Sequence, residues 1–411
     1  MSVQGVDAAV VGGGAAGMMA ALTAAERGRR VALIEHKEFC GRKLRITGQG
    51  RCNVCNHCVD VKTFLKNVPR NPKFLYGALS RFGPAETMAF FEESGVPLKT
   101  ERGNRVFPVS DNAHDVANAL ERRMKRAGVK LLLTKAEEIL TAEDGAIRGV
   151  KTADGFIGCE SVLIATGGVS YPLTGSTGDG YRFARALGHT VTPLRPSLVP
   201  LVSDDPDCAR LQGFSLKNVR LSVYDSRDEA VFSELGEMMF AHFGVTGPLV
   251  LSASCFMDFD AERYRLEIDL KPGLDEQRLD ERILRDFEKY KNRDFQNALD
   301  DLAARSMVPV LLRRSGIPGD TKVHSVTREQ RLGLVRLFKR FPVPVSGPRG
   351  YEEAIVTSGG VDVAQVDPRT MESKLVRGLF FAGEVLDVDA LTGGFNLQIA
   401  WSTGRLAGMN L

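Results

Sequence analysis

The sequence predicts an α/β protein: a Rossmann-like dinucleotide-binding domain interrupted by a mixed β-barrel-like plus helical insert. Three observations carry this expectation. A glycine-rich turn near the N-terminus stands between an apolar strand and a small-residue helix. A second strand–turn–helix of the same character closes the chain. Between them, from about Val191, the pattern changes to short alternating strands and then to charged helix. The dinucleotide domain is expected over 1–191 and 351–411, with the insert over 192–350 and its helical part at about 275–340.

The N-terminal stretch VDAAVVGGGAAGMMAALTAAERGRRVALIE opens with the strand-type run Ala8–Val11. Gly12-Gly13-Gly14-Ala15-Ala16-Gly17 follows and fits GxGxxG. Residues Ala15 to Arg27, rich in Ala, Met and Leu, read as a helix stopped by Gly28. Val31–Ile34 is a second strand with Glu35 at its end, about 20 residues past the turn, as the dinucleotide fingerprint requires. Gly12 permits the tight turn, Gly14 lets a pyrophosphate approach, and Gly17 lets helix and strand pack closely. The first amides of the helix attract phosphate. Glu35 accepts hydrogen bonds from an adenosine ribose and would repel a 2′-phosphate.

The fingerprint alone fits FAD and NAD equally; two later segments favour FAD. SVLIATGG, Ser161–Gly168, is an apolar strand closing on a small-residue turn. GLFFAGEVLDVDALTGGFNLQIAWSTGRLAG, Gly378–Gly408, is another strand, an acidic turn, and a glycine pair opening a helix. A strand ending Gly383-Glu384 before such a helix is the usual second half of a two-part FAD site. Glu384 then holds ribityl or pyrophosphate groups. The helix N-terminus near Gly394–Asn396 faces the flavin pyrimidine ring, where its positive end stabilises an anionic reduced flavin. No other convincing GxGxxG occurs, so a dedicated NAD(P)-docking domain is not expected, and NAD(P)H enters only as a transient electron donor.

Between these ends, Asn112 to Gly128 has helical spacing and precedes strands Lys130–Thr134, Ile147–Thr152 and Phe156–Ile164. GSTGDGYRFARALGH reads as a loop and helix with Thr177 or Asp179 as N-cap. Inside the insert, SLKNVRLSVYD, AVFSELGEMMF, GPLVLSAS and RYRLEIDL read as strands. Asp275–Arg314 reads as helix, and EEAIVTSGGVD returns to strand.

Composition sets outer bounds. Apolar content of 43% and charged content of 26% are ordinary for a globular protein. Glycine is over-represented, at 42 of 411 residues against a usual share of about 7%. A net charge of +3 neither requires nor excludes nucleic acid; Arg122–Arg126 and Arg313–Arg314 are the basic clusters an RNA would meet. Val6 to Ala25 has the apolar content of a membrane span, but Asp7, the glycine triplet and the lack of preceding basic residues argue against one. Seven cysteines, four of them crowded between Cys40 and Cys58, do not resemble a secreted disulfide framework. A soluble, cytoplasmic protein without membrane contact is expected.

The segments GRKLRITGQGRCNVCN, ATGGVSYPLTGSTGDGYRFARALGH, GEMMFAHFGVTGPLVLSAS and TSGGVDVAQVDPRTMESKLVRGLFFAGEVLDVDALTGGFNLQIAWSTG together resemble the BaiN/RdsA-type flavoproteins, also described as aminoacetone-oxidase-like. The resemblance covers nearly the whole chain. It implies FAD, a two-dinucleotide-binding-domain flavoprotein fold, and an interrupting insert. It further implies one of three activities: reduction of a conjugated C=C bond in a small molecule, dihydrouridine formation in ribosomal RNA, or amine oxidation. Carried over by position, the cofactor contacts fall on Gly12, Gly14, Ala15, Ala16, Gly17, Glu35, Arg42, Lys43, Arg51, Ala136, Thr166, Gly167, Gly383, Glu384, Asn396, Leu397 and Gln398. Gly50, Cys52 and Asn53 join them as a loop folded over the flavin, and Gly394 as the start of the last helix.

Reduction of a C=C bond needs a proton donor opposite the hydride, for which Tyr171, His242 and Cys52 are the candidates. Asn53 and Asn396 are placed either to polarise a carbonyl or to cap backbone. The cysteine run admits three readings. Zinc would require Cys40 or His57 as a fourth ligand beside Cys52, Cys55 and Cys58. The iron–sulfur run fails because Lys62 occupies its fourth position. A Cys52–Cys55 dithiol would draw on the adjacent Arg51. The family stretch reads about G-R-C-N-x-T-N, so only Cys52 belongs to it, and no metal is expected.

Overall fold

The computed structural model describes residues 5–411. The chain divides into two compact units, one comprising the residues through Ser197 together with Tyr351–Leu411, the other Leu198–Gly350.

The first unit is built on a five-stranded parallel sheet. Its strands run, in spatial order, Leu379–Phe381, Ser161–Ile164, Ala8–Val11, Val31–Glu35 and Lys130–Leu133. Ala8–Val11 is central and buried on every residue, as a strand covered on both faces must be. Register places Val11 beside both Ile34 and Ile164, and Ile164 beside Phe381, so the carboxyl ends finish level. The chain leaves Ala8–Val11 toward one neighbour and later returns on its other side. That reversal is the switch point at which open α/β sheets bind ligands.

Helix Ala15–Glu26 is nearly all small or apolar and is buried on ten of its residues, from Ala16 to Ala25. It lies against the C-terminal helix Phe395–Gly408 through small residues. A Cβ on Gly404 would stand 2.4 Å from the Ala16 carbonyl oxygen, and one on Gly408 would stand 2.4 Å from that of Ala20. On its other side a Cβ on Gly17 would stand 1.9 Å from the Gly12 carbonyl oxygen, so only glycine lets the helix sit this close to the strand.

Two expected elements of this unit differ. The single strand expected over Phe156–Ile164 is two, Gly155–Gly158 in an antiparallel meander and Ser161–Ile164 in the parallel sheet. The break falls at Cys159–Glu160, between two apolar runs that the sequence reading joined into one. Thr177 and Asp179 do not cap helix Asp179–Ala186. Gly178 stands at that position with φ +80°, and Thr177 Oγ1 donates instead to Asp179 Oδ2 at 2.8 Å.

The second unit carries a seven-stranded antiparallel sheet. Its two edge strands, Phe341–Pro344 and Gly347–Pro348, are neighbours in sequence. Three residues of chain reach no more than about 11 Å, so the sheet must curl until its edges nearly meet. This is the barrel-like part. Helices Glu276–Lys289, Val308–Ser315 and Arg328–Lys339 share its apolar core, with Leu279, Ile283, Leu311 and Leu334 fully buried. GPLVLSAS is helix Pro248–Ser254 rather than a strand, with proline in the first turn where its missing N–H costs nothing.

Candidate functional site: a cleft at the carboxyl ends of the parallel sheet

In the first unit every loop that leaves the carboxyl end of a parallel strand enters one cleft, partly open to solvent. Its walls are Gly12–Ala16 after the first strand and Glu35–His36 after the second. Thr134–Ala136, Ala165–Gly167 and Ala382–Glu384 follow the other three.

The Gly12–Gly17 turn is shaped by two contacts. Gly12 has φ +106°, and a Cβ there would stand 2.5 Å from the Ala165 carbonyl oxygen. Gly14, by contrast, would point a Cβ into open space with nothing within 4 Å. Its φ of −78° is one any residue adopts, so the missing side chain leaves room for a ligand rather than for the fold. Helix Ala15–Glu26 begins here without a side-chain cap, and Ala15 and Ala16 line the cleft. Uncapped first-turn amides form an anion site.

Glu35 is held in place before any ligand arrives. Its carboxylate accepts from Gly13 N at 2.8 Å and from Lys37 N at 2.9 Å. Farther along, Thr134 Oγ1 and Thr166 Oγ1 are buried without a hydrogen-bond partner, and both residues line the cleft. Buried hydroxyls are rarely left this way, so the two point to a polar ligand that completes them. Ala136, Gly167 and Arg42 also line the cleft, the Arg42 guanidinium 3.4 Å from Glu38.

At the other end Glu384 is the centre of a network. It accepts from Lys43 Nζ at 2.8 Å, Ser170 Oγ at 2.8 Å and Thr357 N at 2.9 Å. Asn396 and Leu397 complete this end of the cleft, beside Gly383. The Asn396 side chain closes its own loop, accepting from Ala390 N at 3.0 Å and donating to Ala390 O at 2.7 Å.

Several expected site residues are elsewhere. Arg51 is turned away, its guanidinium on Glu101 (2.5 Å) and Asp111 (2.6 Å) and stacked 4.1 Å over the Phe107 ring. Gly50 and Gly394 do not line the cleft. A Cβ on Gly394 would lie 2.4 Å from the Cys55 carbonyl oxygen, so that helix start is pressed against the cysteine loop. Asn53 serves the same junction: with its amide oriented to satisfy its neighbours, its oxygen accepts from Gly394 N at 2.9 Å and its nitrogen donates to Cys55 O at 3.0 Å. Gln398 is fully buried and donates to Thr87 Oγ1 at 2.8 Å and to Ser402 Oγ. Its helical position faces the interior rather than the cleft.

Of the three proton-donor candidates, Cys52 is sealed in the core, where burial pushes its thiol up to about 12. A thiol so enclosed is outside the cleft lining and meets no substrate there. Tyr171 is half-buried at φ +51° beside the cleft loop Thr174–Thr177, outside the lining. His242 is exposed on the second unit, its ring edge-on to Phe243, rather than enclosed by its apolar neighbours. All seven cysteines are free thiols. Among the described residues no group of three or more His, Cys, Asp or Glu is arranged to hold a metal ion.

Sequence reasoning missed Thr134 and the buried acids Asp387 and Asp389. Thr134 directly follows the strand Lys130–Leu133, at the carboxyl end of the parallel sheet where ligands of such folds bind. The two aspartates, in LDVDALTGG, look like turn residues.

The HI0933-like protein Rossmann domain model matches residues 6–410. The chain belongs to that family. It is thus a Rossmann-type, FAD-dependent oxidoreductase of the BaiN/RdsA kind. It is 31% identical over 97% of its length to the 3-dehydro-bile acid delta(4,6)-reductase of Clostridium scindens, covering 97% of that protein. It is 32% identical to the ribosomal RNA dihydrouridine synthase of Escherichia coli, covering 98% of each. Among solved structures, a flavocytochrome c3 fumarate reductase in its open conformation matches at 18% identity with a TM-score of 0.53, over 100% of this chain and 78% of that one. The 3-ketosteroid delta1-dehydrogenase of Sterolibacterium denitrificans matches at 12% identity with a TM-score of 0.52, over 99% of both. At those identities the likeness is one of fold. Among the described residues no helix is long and apolar enough to cross a membrane.

Proposed function

We propose that the cleft of the first unit holds FAD and that the protein reduces an activated C=C bond in a small molecule. The observation that carries this is the convergence of five strand ends on one cleft containing an uncapped helix N-terminus, a fixed acid and two orphaned hydroxyls. The amides of Ala15 and Ala16 receive the pyrophosphate, with Gly14 giving it room, and Glu35 receives the adenosine ribose. Thr134, Ala136, Thr166 and Gly167 border the adenosine half. Glu384, steadied by Lys43 and Ser170, receives the ribityl chain, and Asn396 and Leu397 bring the start of the last helix to the flavin ring. FAD, when bound, supplies the hydride through its N5.

The two similar proteins share one kind of chemistry: saturation of a C=C bond conjugated to a carbonyl, in a steroid ring for one and a uracil ring for the other. That common step supports reduction over amine oxidation. RNA is the second reading, favoured by the synthase and by Arg122, Lys125 and Arg126, which are exposed on one helix. The other basic pair supports it less, because Arg313 and Arg314 are both ion-paired to Asp207, and Arg314 also to Asp205.

The test is to reduce the FAD-loaded protein anaerobically and mix it with a panel of α,β-unsaturated ketones. Return of the yellow absorbance with an equivalent of saturated product is expected. Reoxidation by air alone, with fast peroxide formation, would indicate an oxidase instead. Loss of ribosomal dihydrouridine from cells lacking the protein would move the substrate to RNA.

A further inference from the structure

The most deeply buried acids of the first unit lie just behind the cleft wall and have no part in the reading above. Asp389 is 2% exposed, and both its oxygens are held by hydroxyls: Oδ2 by Ser197 Oγ at 3.0 Å, Oδ1 by Ser358 Oγ at 3.2 Å. The two serines come from the paired strands Arg195–Ser197 and Val356–Ser358. Arg70, partly exposed, stands between Asp389 Oδ1 and Asp387 Oδ1, 3.5 Å from each. No hydrogen bond reaches Asp387 Oδ1, and Thr192, Asn71 and the Asp362 charge are its other polar neighbours. With both acids ionised the cluster carries one negative charge more than Arg70 cancels, enclosed in the fold.

The cluster is joined to the cleft on three sides. Val388, between the two acids, lines it, as does Val356, which begins the strand carrying Ser358. Asn396, on the first turn facing the cleft, is bonded to Ala390.

We propose that Asp389 is the proton reservoir of this oxidoreductase, a positioning residue that gains a proton when the cleft gains negative charge. The inference rests on the flavin reading. A two-electron donor of the nicotinamide class passes a hydride to the flavin and leaves it anionic, and the carboxylate of Asp389 takes up one proton from solvent by way of the Arg70 side. When the hydride passes to one carbon of a C=C bond, Asp389 gives up its proton and the other carbon takes one up. Hydride plus proton equals the two hydrogens the product gains.

The titration range fits. Burial pushes Asp389 up to about 6, against the Ser197 hydrogen bond and the Arg70 charge, and burial likewise raises Asp387. An added negative charge nearby raises such a group further, into the neutral range. The two acids share Arg70, so they titrate as a pair.

The test uses the FAD-loaded protein and needs no substrate. Protons taken up per flavin reduced are measured with an indicator dye in weak buffer near pH 7, for wild type and Asp389→Asn. Wild type is expected to take up a substantial fraction of a proton more than the variant. In redox-difference infrared spectra of wild type, a protonated-carboxyl band should appear on reduction and shift with ¹³C-aspartate. The infrared result stands on wild type alone, so an Asp389→Asn that fails to fold does not remove the test. Equal proton uptake in the two proteins, or no carboxyl band on reduction, would overturn the proposal. A chain that binds no FAD would instead overturn the reading beneath it.

Discussion

Two glycine-rich stretches, Gly12–Gly17 and Gly48–Cys58, look alike in sequence, and the sequence places both on the cofactor. Only the first borders the cleft. The second bends through positive φ at Gly48, Gln49, Gly50 and Cys52 and spends its backbone on itself. Cys52 N donates to Thr47 O at 2.9 Å, Arg51 N to Gly48 O, and Gly50 O accepts from Ala113 N. The fingerprint turn leaves its helix amides uncapped and Gly14 facing open space. A ligand loop is therefore marked less by its glycines than by backbone donors that nothing in the protein uses.

The largest effect that would sharpen this contrast belongs to Gly17. Replacing it with alanine puts a Cβ into the Gly12 carbonyl, and we expect a loss of about 3 kcal/mol in unfolding free energy, read by denaturant titration of the apoprotein. Glu35→Ala comes next. Losing an ionised hydrogen-bond acceptor for the ribose costs roughly 1.5–3 kcal/mol, so FAD binding followed by fluorescence should weaken about ten- to a hundredfold. Arg51→Met should do least. Its partners are partly exposed carboxylates whose ion pairs water screens, so stability should change little and FAD affinity should stay within about twofold of wild type. A large loss of FAD affinity in that variant would place the second loop on the cofactor after all.

The parallel sheet was legible because its signals are local. A run such as Ala8–Val11, a turn needing glycine at Gly12 and Gly17, and an acid at Glu35 each follow from a few adjacent residues. What escaped depends on direction. Gln398 sits one residue from the cleft-lining Leu397, yet the helical turn of about 100° per residue sends its side chain into the core. Arg51 and Asn53 are recruited by Glu101, Asp111 and Gly394, partners remote in sequence. GPLVLSAS became a helix because a four-residue apolar run carries no period of its own. Asp389 escaped for a related reason: an aspartate beside a glycine pair reads as turn chemistry until its burial is known.

The most direct test of the central claim is FAD titration of Gly14→Val beside wild type, with thermal unfolding of both apoproteins. The valine Cβ meets no protein atom within 4 Å, and the backbone at Gly14 accepts it. The account predicts nearly unchanged unfolding of the apoprotein and an FAD affinity at least about a hundredfold weaker, roughly 2.7 kcal/mol. Wild-type FAD affinity in that variant would contradict it, because the pyrophosphate would then lie somewhere other than this turn.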